Sequence, residues 1–158
     1  MPPLLSIYCD GAAHDRRGLP GGWAFAVVSD GRALLTQAGA QGRTTNNAME
    51  LTAAFSGLRA VLDRRWHLDR TIELVSDSRV ALDVASGRWF PKKHDFLAAQ
   101  LRAACLEAGA STRWVKGHSG EEWNERVDAL AGAARQALVP ERVKKKATRR
   151  AQLRLATR

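Results

Sequence analysis

The sequence predicts an α/β domain: a five-stranded mixed sheet with helices on both faces. Three observations carry that prediction. Apolar strand-like runs and helical stripes succeed one another in the order β-β-β-α-β-α-α-β-α. Asp30-Gly31 falls between two early runs and is a strong hairpin signal, so strands one to three form an antiparallel meander. A helix separates strands three and four, which favours a crossover and parallel pairing for strand four.

The elements follow in order. Residues 4–9 are an apolar run ending at Asp10-Gly11, which reads as a strand and then a turn. Residues 15–22 are charged and contain Gly and Pro, hence a loop. Residues 23–28 and 33–40 flank the hairpin signal as strands two and three. Thr45, Asn46 and Asn47 are caps for a helix with Leu51, Phe55, Leu58 and Leu62 on its core face. Glu50 is assigned to its first turn, where an acid suits the helix dipole. Strand four is 71–76 and runs into Asp77. A short helix from Ser78 to about Ser86 stops at Gly87. A third helix covers 95–108, with Leu97, Leu101, Ala104 and Ala108 inward and Gly109 at its end. Residues 112–116 form strand five and 117–122 a loop. A last helix, 124–138, turns Val127, Leu130, Ala131, Ala134 and Leu138 to one side, and Pro140 closes the folded part.

The chain's 158 residues suit one domain with a substantial core. It is 45% hydrophobic, with no apolar run of membrane-spanning length and no basic-then-apolar leader. A soluble, cytoplasmic protein is expected, with no membrane partner. Cys9 and Cys105 lack metal-ligand spacing and read as small core residues in a reducing compartment. Trp23, Trp66, Trp114 and Trp123 read as core or helix-packing residues. The net charge of +9 is unevenly placed. Residues 141–158 hold eight Lys/Arg and one acid, while the preceding 140 residues carry 17 bases and 15 acids. The division is a folded domain over 1–140 and a flexible basic tail over 141–158.

Four strings each place a carboxylate at the edge of an apolar element. They are Tyr8-Cys9-Asp10-Gly11, Asn46-Asn47-Ala48-Met49-Glu50-Leu51, Val75-Ser76-Asp77-Ser78 and Asn124-Glu125-Arg126-Val127-Asp128. If strands one and four are parallel neighbours, Asp10 and Asp77 project from one edge of the sheet, where ligands bind in open α/β sheets. Glu50 and Asp128, each near a helix start, can reach the same place. Converging carboxylates repel unless a cation lies between them, and hard divalent ions prefer oxygen ligands. Such clusters serve in-line attack on phosphodiesters. Taken singly, each acid has a plainer explanation: Asp10 a turn, Glu50 a helix start, Asp77 a cap for the next helix, Asp128 a solvated face. Four together favour a metal-dependent nuclease.

These strings also carry a resemblance. With Gly21-Gly22, Arg43-Thr44-Thr45 and Trp114-Val115-Lys116-Gly117-His118-Ser119-Gly120, the chain resembles a type 1 ribonuclease H over about residues 4–138. The resemblance implies the ribonuclease H-like fold. It also implies two-metal hydrolysis of the RNA strand of RNA–DNA hybrids, leaving 5′-phosphate and 3′-hydroxyl ends. It implies Asp10, Glu50, Asp77 and Asp128 as ligands of two Mg²⁺ ions, with Mn²⁺ as a substitute. His118 would assist turnover by proton transfer or product departure. Thr45 would hold a DNA phosphate, Asn46 would reach the minor groove, and Gly11 would present backbone to an RNA 2′-hydroxyl. A monomer is expected.

Two features depart from the family pattern. Arg79 stands where relatives often have Gln, and it does not reproduce an amide's hydrogen bonds. The stretch Gly87-Arg88-Trp89-Phe90-Pro91-Lys92-Lys93-His94 is too short for the long basic protrusion of many relatives. Trp89 keeps one aromatic contact to DNA, and the tail becomes the expected source of substrate grip. His14, His67 and His94 receive no role. The alternatives are a non-catalytic hybrid-binding module and a DNA strand-transfer or junction nuclease of the same superfamily. The intact carboxylate set disfavours the first and Thr44-Thr45-Asn46-Asn47 the second.

Overall fold

A computed structural model of the chain describes residues 1–14, 18–139, 144–145, 148–150 and 152. In chain order the elements are β1 (Leu4–Ala13), β2 (Gly21–Ser29), β3 (Arg32–Gln41), α1 (Asn46–Asp63), a 3₁₀ turn (Trp66–Leu68), β4 (Thr71–Ser76), α2 (Arg79–Ser86), α3 (Asp95–Ala108), β5 (Ser111–Trp114) and α4 (Glu122–Leu138). The sheet order is β3-β2-β1-β4-β5. β1–β2 and β2–β3 are antiparallel; β1–β4 and β4–β5 are parallel. The mixed sheet with its antiparallel meander is the architecture the sequence predicts.

Period-two alternation divides the core. Leu5, Ile7, Cys9, Phe25, Val27, Ile72 and Leu74 face α1, α2 and α3. Tyr8, Ala24, Ala26, Val28 and Val75 face the other way, with Val127 and Ala131 of α4. Alanines on that face let a single helix lie close over β1, β2 and β3. Cys9 and Cys105 are buried free thiols, as expected. Burial pushes the Cys9 thiol far up, so it is an inert core group.

Several expectations need correction. β1 does not end at Asp10; it continues to Ala13, and Asp10 pairs with Ala24 inside the strand. Glu50 is not in the first turn of α1, which begins at Asn46 and has no acid there, so the dipole explanation lapses. Asp77 does not cap α2; Ser78 does, accepting from the Ala81 amide. β5 is Ser111–Trp114 rather than 112–116, and α4 starts at Glu122, which leaves Asp128 past its first turn. Leu130 and Leu138 are exposed, because only a narrow stripe of α4 meets the alanine-lined sheet. Trp114 is 42% exposed rather than core, since β5 is an edge strand. Trp23, Trp66 and Trp123 do pack against the two clusters. The basic tail assigned to 141–158 falls mostly outside the described residues; of it, Lys144, Lys145, Thr148, Arg149, Arg150 and Gln152 are helical.

Candidate active site

The sheet edge above β1 and β4 is built by a mismatch in strand length. β4 pairs with β1 only as far as Val75 opposite Tyr8, and the chain then leaves the sheet at Asp77. β1 continues with β2 alone. Asp10 therefore stands beside the point where Asp77 departs. It shares a face with Tyr8 by alternation, the face covered by α4, and this brings Asp128 to it. Glu50 comes from the opposite side, on α1. Gly11 makes that approach feasible: a Cβ there would sit 2.3 Å from the Glu50 amide nitrogen.

Each acid is held differently. Asp10 is 6% exposed, and its Oδ1 accepts from the Gly11 amide at 2.8 Å. Glu50 accepts from Ser78 Oγ at 2.6 Å and from Asn46 Nδ2 at 2.8 Å. Asp77 Oδ2 accepts from Asn124 Nδ2 at 3.1 Å, and its carbonyl from the Trp114 indole at 3.0 Å. Asn124 is buried, which the sequence reading did not foresee.

The electrostatics are unfavourable to the bare cluster. Burial, then the charge of Asp77, push the Asp10 carboxyl up to about 8; Asp128 adds to this, and the Gly11 amide opposes it. Glu50 is also raised, by burial and then Asp77, against the hydrogen bonds from Ser78 and Asn46. Among the described residues, no group of three or more His, Cys, Asp or Glu side chains forms a ready cage for a metal ion. Asp77 and Asp128 each bear on Asp10, and Asp77 on Glu50, and the donors are all hard oxygens. An open carboxylate cluster of this kind fits Mg²⁺, which keeps several waters and completes its shell with substrate phosphate.

The sequence pattern of the RNase H family matches residues 3–136. The chain belongs to the ribonuclease H family. It is 39% identical over 145 residues to the ribonuclease H of Phenylobacterium zucineum, covering 83% of this chain and 90% of that relative. The crystal structure of an RNase H1 from Halobacterium salinarum is similar with a TM-score of 0.70 and 29% identity, over 83% of this chain and 96% of that one. LC11-RNase H1, solved in complex with an RNA/DNA hybrid, shares the fold with a TM-score of 0.71 at 22% identity, over 84% and 97%.

His118, Asn46 and Arg79 lie on the elements that adjoin this edge. His118 is exposed on the loop before α4, with φ 52°, a conformation few non-glycine residues adopt. A Cβ at neighbouring Gly117 would meet Asp77 Oδ2 at 2.7 Å, so the loop rests against the carboxylate cluster. Asn46 bridges Glu50 and the Ala13 amide, which its Oδ1 accepts at 3.1 Å. Arg79 opens α2 and lies 4.2 Å over the Trp114 ring. A cation at a helix N-terminus opposes the dipole, so the stack on Trp114 is what holds it.

Thr45 caps α1, accepting from the Ala48 amide, and its hydroxyl is 3.1 Å from His94 Nε2. Both line an open groove of about 520 Å³ with Trp89, Phe90, Lys92 and Lys93. Of this lining the sequence reading singled out Thr45 and Trp89, and it gave Phe90 and His94 no role. No local signal marks His94; it meets Thr45 only because α3 begins beside the start of α1.

Proposed function

We propose that the chain is an endoribonuclease that hydrolyses the RNA strand of RNA–DNA hybrids, leaving 5′-phosphate and 3′-hydroxyl ends. The observation that carries this reading is the convergence of Asp10, Glu50, Asp77 and Asp128 at one sheet edge in a member of the ribonuclease H family. Mg²⁺ ions held there would supply an activated water and charge stabilisation for the departing 3′-oxygen.

The chain's own residues orient, bind and move protons. Asp10 is central: the charges of Asp77 and Asp128 both bear on it, and it would be among the residues that hold the ions. Ser78, Asn46 and Asn124 fix the rotamers of Glu50 and Asp77, so the ligand set is oriented before ions and substrate arrive. His118, exposed on its loop, takes or delivers a proton near the leaving group, or eases product departure.

Selectivity comes from sugars and strand shape. Gly11 offers backbone to an RNA 2′-hydroxyl, the group that distinguishes RNA from DNA. Thr45 and the adjoining His94, Lys92 and Lys93 suit a DNA phosphate. Asn46 addresses the minor groove. Trp89 and Phe90, both exposed, offer stacking surface. Arg79, fixed on Trp114, presents a cation to a phosphate near the cut. The basic segment 141–158 adds sequence-independent attraction. The enzyme acts as a monomer in the cytoplasm.

The test is incubation of labelled RNA–DNA hybrid, duplex DNA and duplex RNA with and without Mg²⁺. Cleavage of the RNA strand of the hybrid alone, dependent on the ion, is expected. Binding without cleavage in Mg²⁺ or Mn²⁺ would sink the reading in favour of a binding module.

A further inference from the structure

The loop that carries His118 is tied to the first turn of α4. The Gly120 amide donates to Glu125 Oε1 at 2.9 Å. Glu125 is itself helical, its own amide donating to the Glu121 carbonyl at 3.0 Å. The loop's inner turn is closed separately, by Ser119 Oγ donating to the Lys116 carbonyl at 2.6 Å. On the other side of His118, a Cβ at Gly117 would meet Asp77 Oδ2 at 2.7 Å. His118 thus lies between a residue that rests on Asp77 and one that is held by Glu125.

The backbone gives a reason for that second hold. His118 and Gly120 both have positive φ, 52° and 86°. Left-handed backbone is unfavourable for a histidine and persists where its surroundings impose it. The N-cap residue of α4, Glu121, makes no side-chain capping hydrogen bond. Two acids stand in the first turn, Glu122 and Glu125. Glu122 is taken up by Arg126, 2.6 Å away. Glu125 turns back to the loop instead. Both suit the positive end of the helix dipole, so the dipole does not explain why one of them reaches Gly120. Beside Glu125, the buried Asn124 donates to Asp77 Oδ2 at 3.1 Å. One helical turn therefore holds a carboxylate of the cluster and the loop next to it.

We propose that Glu125 is a positioning residue for the reaction: its carboxylate, accepting from the Gly120 amide, holds the pose of the His118 loop beside Asp77. The proposal rests on the ribonuclease H reading and on the turnover role given there to His118. Glu125 is exposed and touches no reacting atom. It serves as a hydrogen-bond acceptor, and its charge is secondary.

Glu125→Ala removes the acceptor from an exposed position, so the core is untouched. Loss of an amide hydrogen bond to an exposed carboxylate shifts a loop equilibrium about tenfold. The strain at His118 keeps the held pose from large excess, so the shift divides into about threefold less held loop and about threefold more free loop. On hybrid in Mg²⁺, kcat is expected to fall about threefold with KM within about twofold. Glu125→Gln keeps an acceptor oxygen without the charge, and its kcat is expected within about 1.5-fold of wild type. Glu122→Ala removes an acid from the same turn without touching the loop, and an unchanged kcat is expected. The decisive arm is the His118→Ala background, where Glu125→Ala is expected to cost nothing further. The proposal is overturned by an unaltered kcat in Glu125→Ala, by an equal loss in Glu125→Gln or Glu122→Ala, or by an equal loss with and without His118. Hydrogen exchange at the Gly120 amide reads the contact without catalysis. Exchange about threefold faster in Glu125→Ala is expected, and an unchanged rate refutes the fastening. If the wild-type chain cleaves no hybrid, the functional reading falls, and the exchange measurement still decides whether Glu125 holds the loop.

Discussion

Replacing Asp10 with Asn pulls chemistry and stability in opposite directions. Asp10 lies inside β1, nearly buried, with its carboxyl pushed from 3.8 to about 8 by burial and by Asp77 and Asp128. A folded-state value above the unfolded one means the folded protein binds the extra proton between those limits. This group's contribution is therefore intact below about pH 4 and is lost as pH climbs toward 8. A shift of that size sets a ceiling of about 6 kcal/mol. The cluster opens to solvent at the sheet edge, and rearrangement there reduces the expected cost to about 2 kcal/mol. In chelator, Asp10→Asn should thus melt about 4–8 °C higher than wild type at pH 9 and almost equally at pH 4. Added Mg²⁺ should raise wild type and leave the variant nearly unmoved, because only the former gains ligand linkage. On hybrid in Mg²⁺ the variant should be slower by at least ~10³-fold, since ion positioning supplies several kcal/mol of transition-state stabilisation. The assays are melting curves across pH with and without ion, and single-turnover cleavage. Equal melting of the two proteins at pH 9 in chelator would refute the electrostatic argument; wild-type cleavage by the variant would refute the ligand assignment.

Three further outcomes are expected. His118→Ala should slow turnover by roughly 10–10³-fold with Mg²⁺ affinity unchanged; a dead enzyme or an unaltered one, in steady-state kinetics with an ion titration, contradicts a turnover role. Gly117→Ala places a methyl 2.7 Å from Asp77 Oδ2, and the carboxylate or the loop must move; a loss of about 10²-fold in kcat with little change in melting temperature is expected from misplacement on this scale. Deleting residues 141–158 should raise KM for hybrid at moderate salt and flatten its salt dependence, because fewer counterions are displaced. Stability should change by less than about 1 kcal/mol, and an unchanged salt slope would show that grip lies elsewhere.

The strand order was legible because alternation and the Asp30-Gly31 turn are local signals, and the crossover leaves few ways to connect β3 to β4. Asp10-Gly11 shows where locality misleads. Asp-Gly reads as a turn, yet β1 runs straight through it to Ala13. Gly11 is needed not for a turn but because the Glu50 amide would lie 2.3 Å from a Cβ, a contact made across the fold. Trp114 misled in a similar way. Its size suggested core, but on an edge strand its value lies in the indole N–H that reaches the Asp77 carbonyl and the ring that carries Arg79. Leu130 and Leu138 continue a helical stripe in sequence, while α4 meets the sheet only along Val127 and Ala131.

The four acids and their supporting residues differ in legibility for a chemical reason. A hard cation takes oxygen donors, so the proposed ligands Asp10, Glu50, Asp77 and Asp128 could be sought among the acids. The groups that orient them face no such restriction. A hydroxyl holds Glu50, a carboxamide holds Asp77, and an indole holds the Asp77 carbonyl. Many side chains supply one hydrogen bond, so register and helix placement rather than chemistry decide which residue serves. Asn124 illustrates the consequence. In sequence it is one polar residue among several near the start of α4, and only its burial and its Nδ2 hydrogen bond to Asp77 Oδ2 single it out.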